Sequence, residues 1–145
     1  MRLLICGSRG WHDRAPIDYL IGALATRGDG AQWLVVIHGK NPKGADKLAD
    51  TVARQWGAKV IPERADWKRY GKGAGPIRNA KMLADHDPDV AVAFRSLGKS
   101  SGTDDMVTKA RNAGVPTFVV NEAVTTDEMA ELVHKILTTV QTHHA

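Results

Sequence analysis

Four glycine-containing segments of this 145-residue chain carry the side chains best suited to chemistry. They are Gly7-Ser8-Arg9, His38-Gly39 through Gly44-Ala45-Asp46, Gly73-Ala74-Gly75-Pro76-Ile77-Arg78-Asn79, and Gly98 through Ser101-Gly102-Thr103. Glycine lets backbone N–H groups approach an anion closely and take up positive φ. Arg9 and Arg78 offer planar forks that match phosphate oxygens. Ser8, Ser100, Ser101 and Thr103 add hydroxyl donors. The chemistry these types point to is phosphate recognition. Each segment also has a plain structural reading. Gly7-Ser8 is an ordinary exit from a strand, Asp46 and Gly102-Thr103 fit capped helix starts, and Arg78-Asn79 fits a solvated helical turn. What unites the four is where the elements place them.

Arg2 to Cys6 is a short apolar run stopped by Gly7, which predicts a buried strand. Pro16 to Thr26 has Ile17, Leu20, Ile21 and Leu24 on one helical face, with Asp13 as a cap and Gly28 to Gly30 as the break. Trp33 to Ile37 predicts a second strand. Ala45 to Trp56 predicts a helix ended by Gly57. Ala58 to Ile61 predicts a third strand, and Pro62 to Ala74 a long polar loop. Pro76 to Ala84 reads as a helix with Pro76 in its first turn. Val90 to Phe94 is a fourth strand, Thr103 to Asn112 a helix, Thr117 to Val120 a fifth strand, and Thr126 to Thr139 a last amphipathic helix, with residues 140–145 a frayed tail. Strands and helices alternating in this way predict one α/β domain spanning 1–145, a Rossmann-like, doubly wound parallel sheet of about five strands. In such a sheet ligands bind outside the carboxyl ends of the strands, and all four segments fall at that edge.

Other classes are disfavoured. There is no G-x-x-x-x-G-K-[ST] and no G-x-G-x-x-G after the first strand, which argues against P-loop hydrolysis and standard NAD binding. The six histidines show no metal-ligand spacing, so neither a metal nor another cofactor is expected. Cys6 is the sole cysteine, which excludes an intrachain disulfide and fits a reducing compartment. No run approaches the roughly 20 apolar residues of a membrane span, and Met1 to Cys6 is too short for a signal peptide, so a cytoplasmic protein without membrane partners is expected. The formal charge of +4 favours anionic partners without choosing among them. Trp11, Trp67 and Tyr70 fall on loops at the same edge, where rings either stack on a base or cap the core.

In order along the chain, these motifs form a series. Gly7-Ser8-Arg9 with Trp11, His38-Gly39 with Gly44-Ala45-Asp46, Asp66-Trp67 with Gly71-Lys72, Ala74-Gly75-Pro76 with Arg78-Asn79 and Met82, and Gly102-Thr103 with Asp105-Met106 resemble the YspA, cpYpsA-related branch of the SLOG superfamily. The resemblance runs from about Met1 to Val120. It implies a Rossmann-like fold, a nucleotide-derived ligand, occurrence in phages and mobile elements, and a homodimer. Relatives include the LOG enzymes, which hydrolyse the N-glycosidic bond of nucleoside monophosphates, and the DNA processing protein A, which binds single-stranded DNA. Arg78 matches the LOG arginine. Of the LOG pattern P-G-G-x-G-T-x-x-E, Gly102 and Thr103 match, the diglycine is missing, and Met106 stands at the glutamate. Asp104 and Asp105 point about 100–200° away from that place on a helix.

Three functions follow as expectations. One is a sensor or sequestering protein that binds a nucleotide-derived ligand without turnover, which the missing glutamate favours. The ligand wall would comprise Gly7, Ser8, Arg9, His38, Gly39, Gly44, Asp46, Trp67, Gly75, Arg78, Asn79, Ser101, Gly102 and Thr103. The second is a LOG-like hydrolase in which Arg78 holds phosphate and Asp46 or Asp105 stabilises an oxocarbenium-like centre. The third is a single-stranded nucleic-acid binder with Arg9, Lys40, Lys43, Lys68, Arg69 and Lys72 as a phosphate track and Trp67 as a stacking ring.

Overall fold

Leu3, Leu4, Ile5 and Cys6 are all buried, which accounts for a strand with no polar alternation: both of its faces are covered. The structure, a computed structural model, describes residues 1–27 and 30–144. In chain order its main elements are β1 (Arg2–Gly7), α1 (Arg14–Ala25), β2 (Val35–His38), α2 (Ala45–Gln55), β3 (Lys59–Pro62), α3 (Trp67–Tyr70), α4 (Ala74–His86), β4 (Val90–Phe94), α5 (Ser101–Asn112), β5 (Thr117–Val120) and α6 (Thr126–His144). The five strands form one sheet in the order β3-β2-β1-β4-β5, and every pairing is parallel. This is the expected single-domain Rossmann-like α/β architecture.

The sheet divides the core in two. Leu3 and Ile5 of β1, with Val90, Val92 and Phe94 of β4, face α1, α2 and α6. Leu4 and Cys6, with Ala91 and Ala93, face α4 and α5 through Met82, Met106 and Ala110. The period-two alternation of a strand thus sends neighbouring residues to opposite layers. From β1 the chain steps outward through β2 to β3, then crosses back to β4 and steps outward the other way. The reversal lies between β1 and β4, so a crevice opens at their carboxyl ends.

Several boundaries differ from expectation for identifiable reasons. Trp33 leaves the second strand for a 3-10 turn, Ala31–Trp33, because its indole N–H donates to the Leu24 carbonyl at 2.8 Å and pins it to the end of α1. The predicted loop from Pro62 to Ala74 contains α3 and a 3-10 turn, Gly71–Gly73; the Asp66 carboxylate accepts the Arg69 N–H at 3.2 Å and caps α3. α4 begins at Ala74 and α5 at Ser101, each upstream of its predicted start, with Pro76 still in the first turn of α4, where its missing N–H costs nothing. α6 begins with a reciprocal capping box: Thr125 Oγ1 accepts from Glu128 N–H at 3.1 Å, and Glu128 Oε1 accepts from Thr125 N–H at 3.0 Å. That helix continues to His144, so the tail expected to fray is helical through 144; Ala145 lies outside the described residues. Gly28 and Asp29, in the predicted break after α1, also lie outside them. Among the described residues no helix is long and apolar enough to cross a membrane.

Candidate functional site

The crevice is a cleft of about 770 Å³, and its backbone frame is set by two glycines. A Cβ on Gly7 would lie 2.3 Å from the Phe94 carbonyl oxygen and 2.5 Å from Ala45 Cβ, so only glycine lets β1 meet β4 and α2 at once. Gly44, at φ +74°, precedes α2; a Cβ there would lie 2.2 Å from the Ser8 carbonyl oxygen. That oxygen accepts the Ala45 N–H at 3.3 Å and the Trp11 N–H at 3.1 Å. The Ser8 side chain ties the two central loops together. Its Oγ accepts the Ser96 N–H at 2.9 Å and lies 2.9 Å from Ser100 Oγ, which donates to Thr103 Oγ1 at 2.9 Å. Ser8 and Thr103 are buried, and this hydroxyl chain delivers the first turn of α5 to the cleft, with the unpaired N–H groups of that turn beside it. The Ser96 hydroxyl, also on the cleft wall, is buried and has no partner among the described residues.

The opposite wall is built on α4. Arg78 is half-buried, and its Nη1 donates to the Gly39 carbonyl at 2.6 Å while Nε donates to Asn79 Oδ1 at 3.0 Å. Asn79, fully inside, donates in turn to the Gly102 carbonyl at 3.2 Å and to Asp105 Oδ2 at 3.0 Å. The guanidinium is therefore fixed along one edge and still lines the cleft. Burial pushes the Arg78 guanidinium down from its ordinary value, against the opposing pull of Asp46. It remains a cation at neutral pH, since arginine does not deprotonate in proteins. Asp105 lines the cleft too, but Lys109 Nζ holds its two oxygens at 2.6 and 2.7 Å.

Asp46, in the first turn of α2, is 3% exposed. Burial pushes its carboxyl up; hydrogen bonding from Asn41, whose N–H lies 3.2 Å from Oδ2, and the charge of Arg78 pull it back. His38 itself is behind the wall rather than on it. Its Nδ1 accepts the Lys40 N–H at 3.0 Å, which puts the ring proton on Nε2, 2.9 Å from Asp50 Oδ1. Both ring nitrogens are occupied, and the ring supports Lys40, which sits at φ +55° next to Gly39. Cys6 is at the floor; burial raises its thiol far above the ordinary range, so it stays protonated.

Of the predicted wall, the structure brings together Gly7, Ser8, Arg9, Gly39, Asp46, Trp67, Gly75, Arg78, Asn79, Ser101, Gly102 and Thr103, while His38 and Gly44 lie behind it. Trp11 belongs to the core: it is 2% exposed and meets Phe94 edge-on at 5.4 Å. Trp67, 48% exposed, is at the rim with the Arg9 guanidinium 5.9 Å from its ring centroid. Of the predicted basic track, Arg9 and Lys72 line the cleft; Lys40, Lys43, Lys68 and Arg69 do not, and Arg69 sits over Tyr70. Sequence reasoning placed Asn41 and Lys99 in its segments without naming them as wall residues, and left out Gly10, Ser96 and Leu97. Leu97, 89% exposed, was the findable one: a large apolar residue inside a polar loop at the ligand edge. The arrangement can hold an anion between Arg78 and the start of α5, with Trp67 and Leu97 as apolar surfaces at the mouth.

Comparison with known proteins gives the chain's relatives. Residues 1–70 match the model of the YspA, cpYpsA-related SLOG family. The chain is also 45% identical over 123 residues to the Gene 61 protein of Mycobacterium phage D29, an alignment covering 81% of this chain and 94% of that protein.

Proposed function

This chain belongs to the YspA, cpYpsA-related SLOG family, and from that premise we propose that it binds a nucleotide-derived small molecule in the β1–β4 cleft, as a sensor or sequestering protein. One observation carries the reading: half-buried Arg78, held by Gly39 and Asn79, shares a single cleft with the first turn of α5. A fixed guanidinium facing unpaired helix N–H groups suits a phosphate. The exposed Trp67 and Leu97 at the mouth suit a base. Binding without turnover is favoured because Met106, at the place of the LOG glutamate, is buried in the layer between sheet and helices.

Hydrolysis is the second reading, and Asp46 favours it. A buried carboxylate whose affinity for its proton is raised, set on the cleft wall beside Arg78, has the properties of an acid or base in catalysis. The two readings separate in one experiment. Small molecules released on denaturing the purified protein are identified by mass spectrometry, and a panel of nucleotides incubated with native protein is followed by chromatography. An intact nucleotide-like ligand with an unchanged panel, and binding lost in Arg78→Ala, is the expected result. Free base or ribose phosphate appearing in the panel would replace the sensor with an enzyme. A protein that ignores every nucleotide but holds oligonucleotides with steep salt dependence would replace both. A homodimer and a cytoplasmic site of action go with the sensor reading, and sedimentation and cell fractionation check them.

A further inference from the structure

A second hollow, of about 510 Å³, adjoins the cleft and is lined by Arg9, Asn41, Pro42, Lys43 and Trp67. Arg9, Asn41 and Trp67 line both hollows, so the Arg9–Trp67 contact is the partition between them. The second hollow is an open depression at the mouth of the cleft. The two differ in chemistry. The cleft holds the helix N–H groups, the hydroxyl chain, Arg78 and Asp46. The second hollow has no carboxylate. The Trp67 indole, the Pro42 ring and the side chains of Arg9, Asn41 and Lys43 line it, and the surface they present is mostly apolar.

Flat apolar walls beside a cation fit a planar heterocycle, whose face stacks on an indole whatever the base. The partition is itself a guanidinium, so a ligand that crosses it does so most favourably with an anionic linker. Building on the nucleotide-binding reading above, we infer that the ligand is a dinucleotide: one nucleoside in the cleft, the second in the hollow against Trp67 and Pro42, and the joining phosphates beside Arg9. A mononucleotide would fill the first compartment and leave the second empty.

The test is calorimetric titration of the whole protein with the four ribonucleoside 5′-diphosphates and the four symmetrical dinucleoside 5′,5′-diphosphates. Each pair has the same number of phosphorus atoms, and the dinucleotide has less negative charge, so a gain in its favour is not electrostatic. The expected result is that the best dinucleotide binds about tenfold or more tightly than its own diphosphate. The double variant Pro42→Ala, Lys43→Ala, which alters only the second hollow, should abolish that gain and leave the diphosphate affinity unchanged. Equal affinities, or a gain that survives in the variant, would overturn the dinucleotide and leave the nucleotide-binding reading standing. Failure of all eight compounds to bind would remove that reading, and the dinucleotide with it.

Discussion

Asp46 shows how much a single residue's role depends on its surroundings. As a carboxylate in a first helical turn it reads as a favourable partner of the helix dipole. In the folded protein it is nearly sealed off, and burial raises its carboxyl above the ordinary 3.8. A folded value above the unfolded one means that the native state holds the proton more tightly. The stability this contributes is present below 3.8 and is lost as pH rises through the window up to the folded value. Asp46→Asn removes the ionisation, so at a pH above that window it should raise the melting temperature while weakening ligand binding. Thermal scans across pH check the first effect and titration the second; a lower melting temperature above that window would make Asp46 a structural residue. His38 shows the opposite movement, from candidate ligand contact to internal support. No sequence signal separates the two roles, because the partners that occupy its ring are the Lys40 N–H and Asp50. Arg78 was legible because its glycine-flanked start of a helix is a local pattern with a local physical meaning.

Elements were legible where the chain punctuates itself. Asp13 before α1, Gly57 after α2 and Gly114 after α5 mark ends through caps and positive φ, which are short-range effects. The stretch from Pro62 to Ala74 was read as a loop because its helical turns are too short to show a periodicity. Trp33 was read as strand because its bond to Leu24 comes from an element nine residues earlier. The junction of β1, α2 and β4 is where the elements are least tolerant. Gly44→Ala places a methyl group against the Ser8 carbonyl at a φ that alanine resists, and should cost about 3 kcal/mol or more, or prevent the protein from accumulating. Gly10→Ala, with nothing within 4 Å of the added methyl, should change stability by no more than about 0.5 kcal/mol. Denaturant melts of both variants make the comparison; similar values for the two would mean that the junction adjusts.

At the scale of the whole molecule, a ligand in the β1–β4 cleft touches loops from both halves of the sheet and so should stabilise the entire cooperative fold. Nucleotide at about 100 times its dissociation constant should add about 2.7 kcal/mol of stability, seen as a rise of several degrees in melting temperature. Arg78→Ala should abolish the rise, and a rise that persisted in that variant would place the ligand elsewhere. The sequence by itself determined the alternation of strands and helices, the parallel sheet and the gathering of the glycine-rich segments at one edge of it, because periodicity, caps and glycines act over a few residues. It also supplied the ordered motifs that carry the family. Only the tertiary structure decided that Trp11 closes the core while Trp67 faces the cleft, that Asp105 is held by Lys109 while Asp46 is buried, and that a second hollow lies behind Arg9. Those outcomes depend on contacts between segments far apart in the chain, and burial and partnership between such segments exist only once the sheet has brought their ends together.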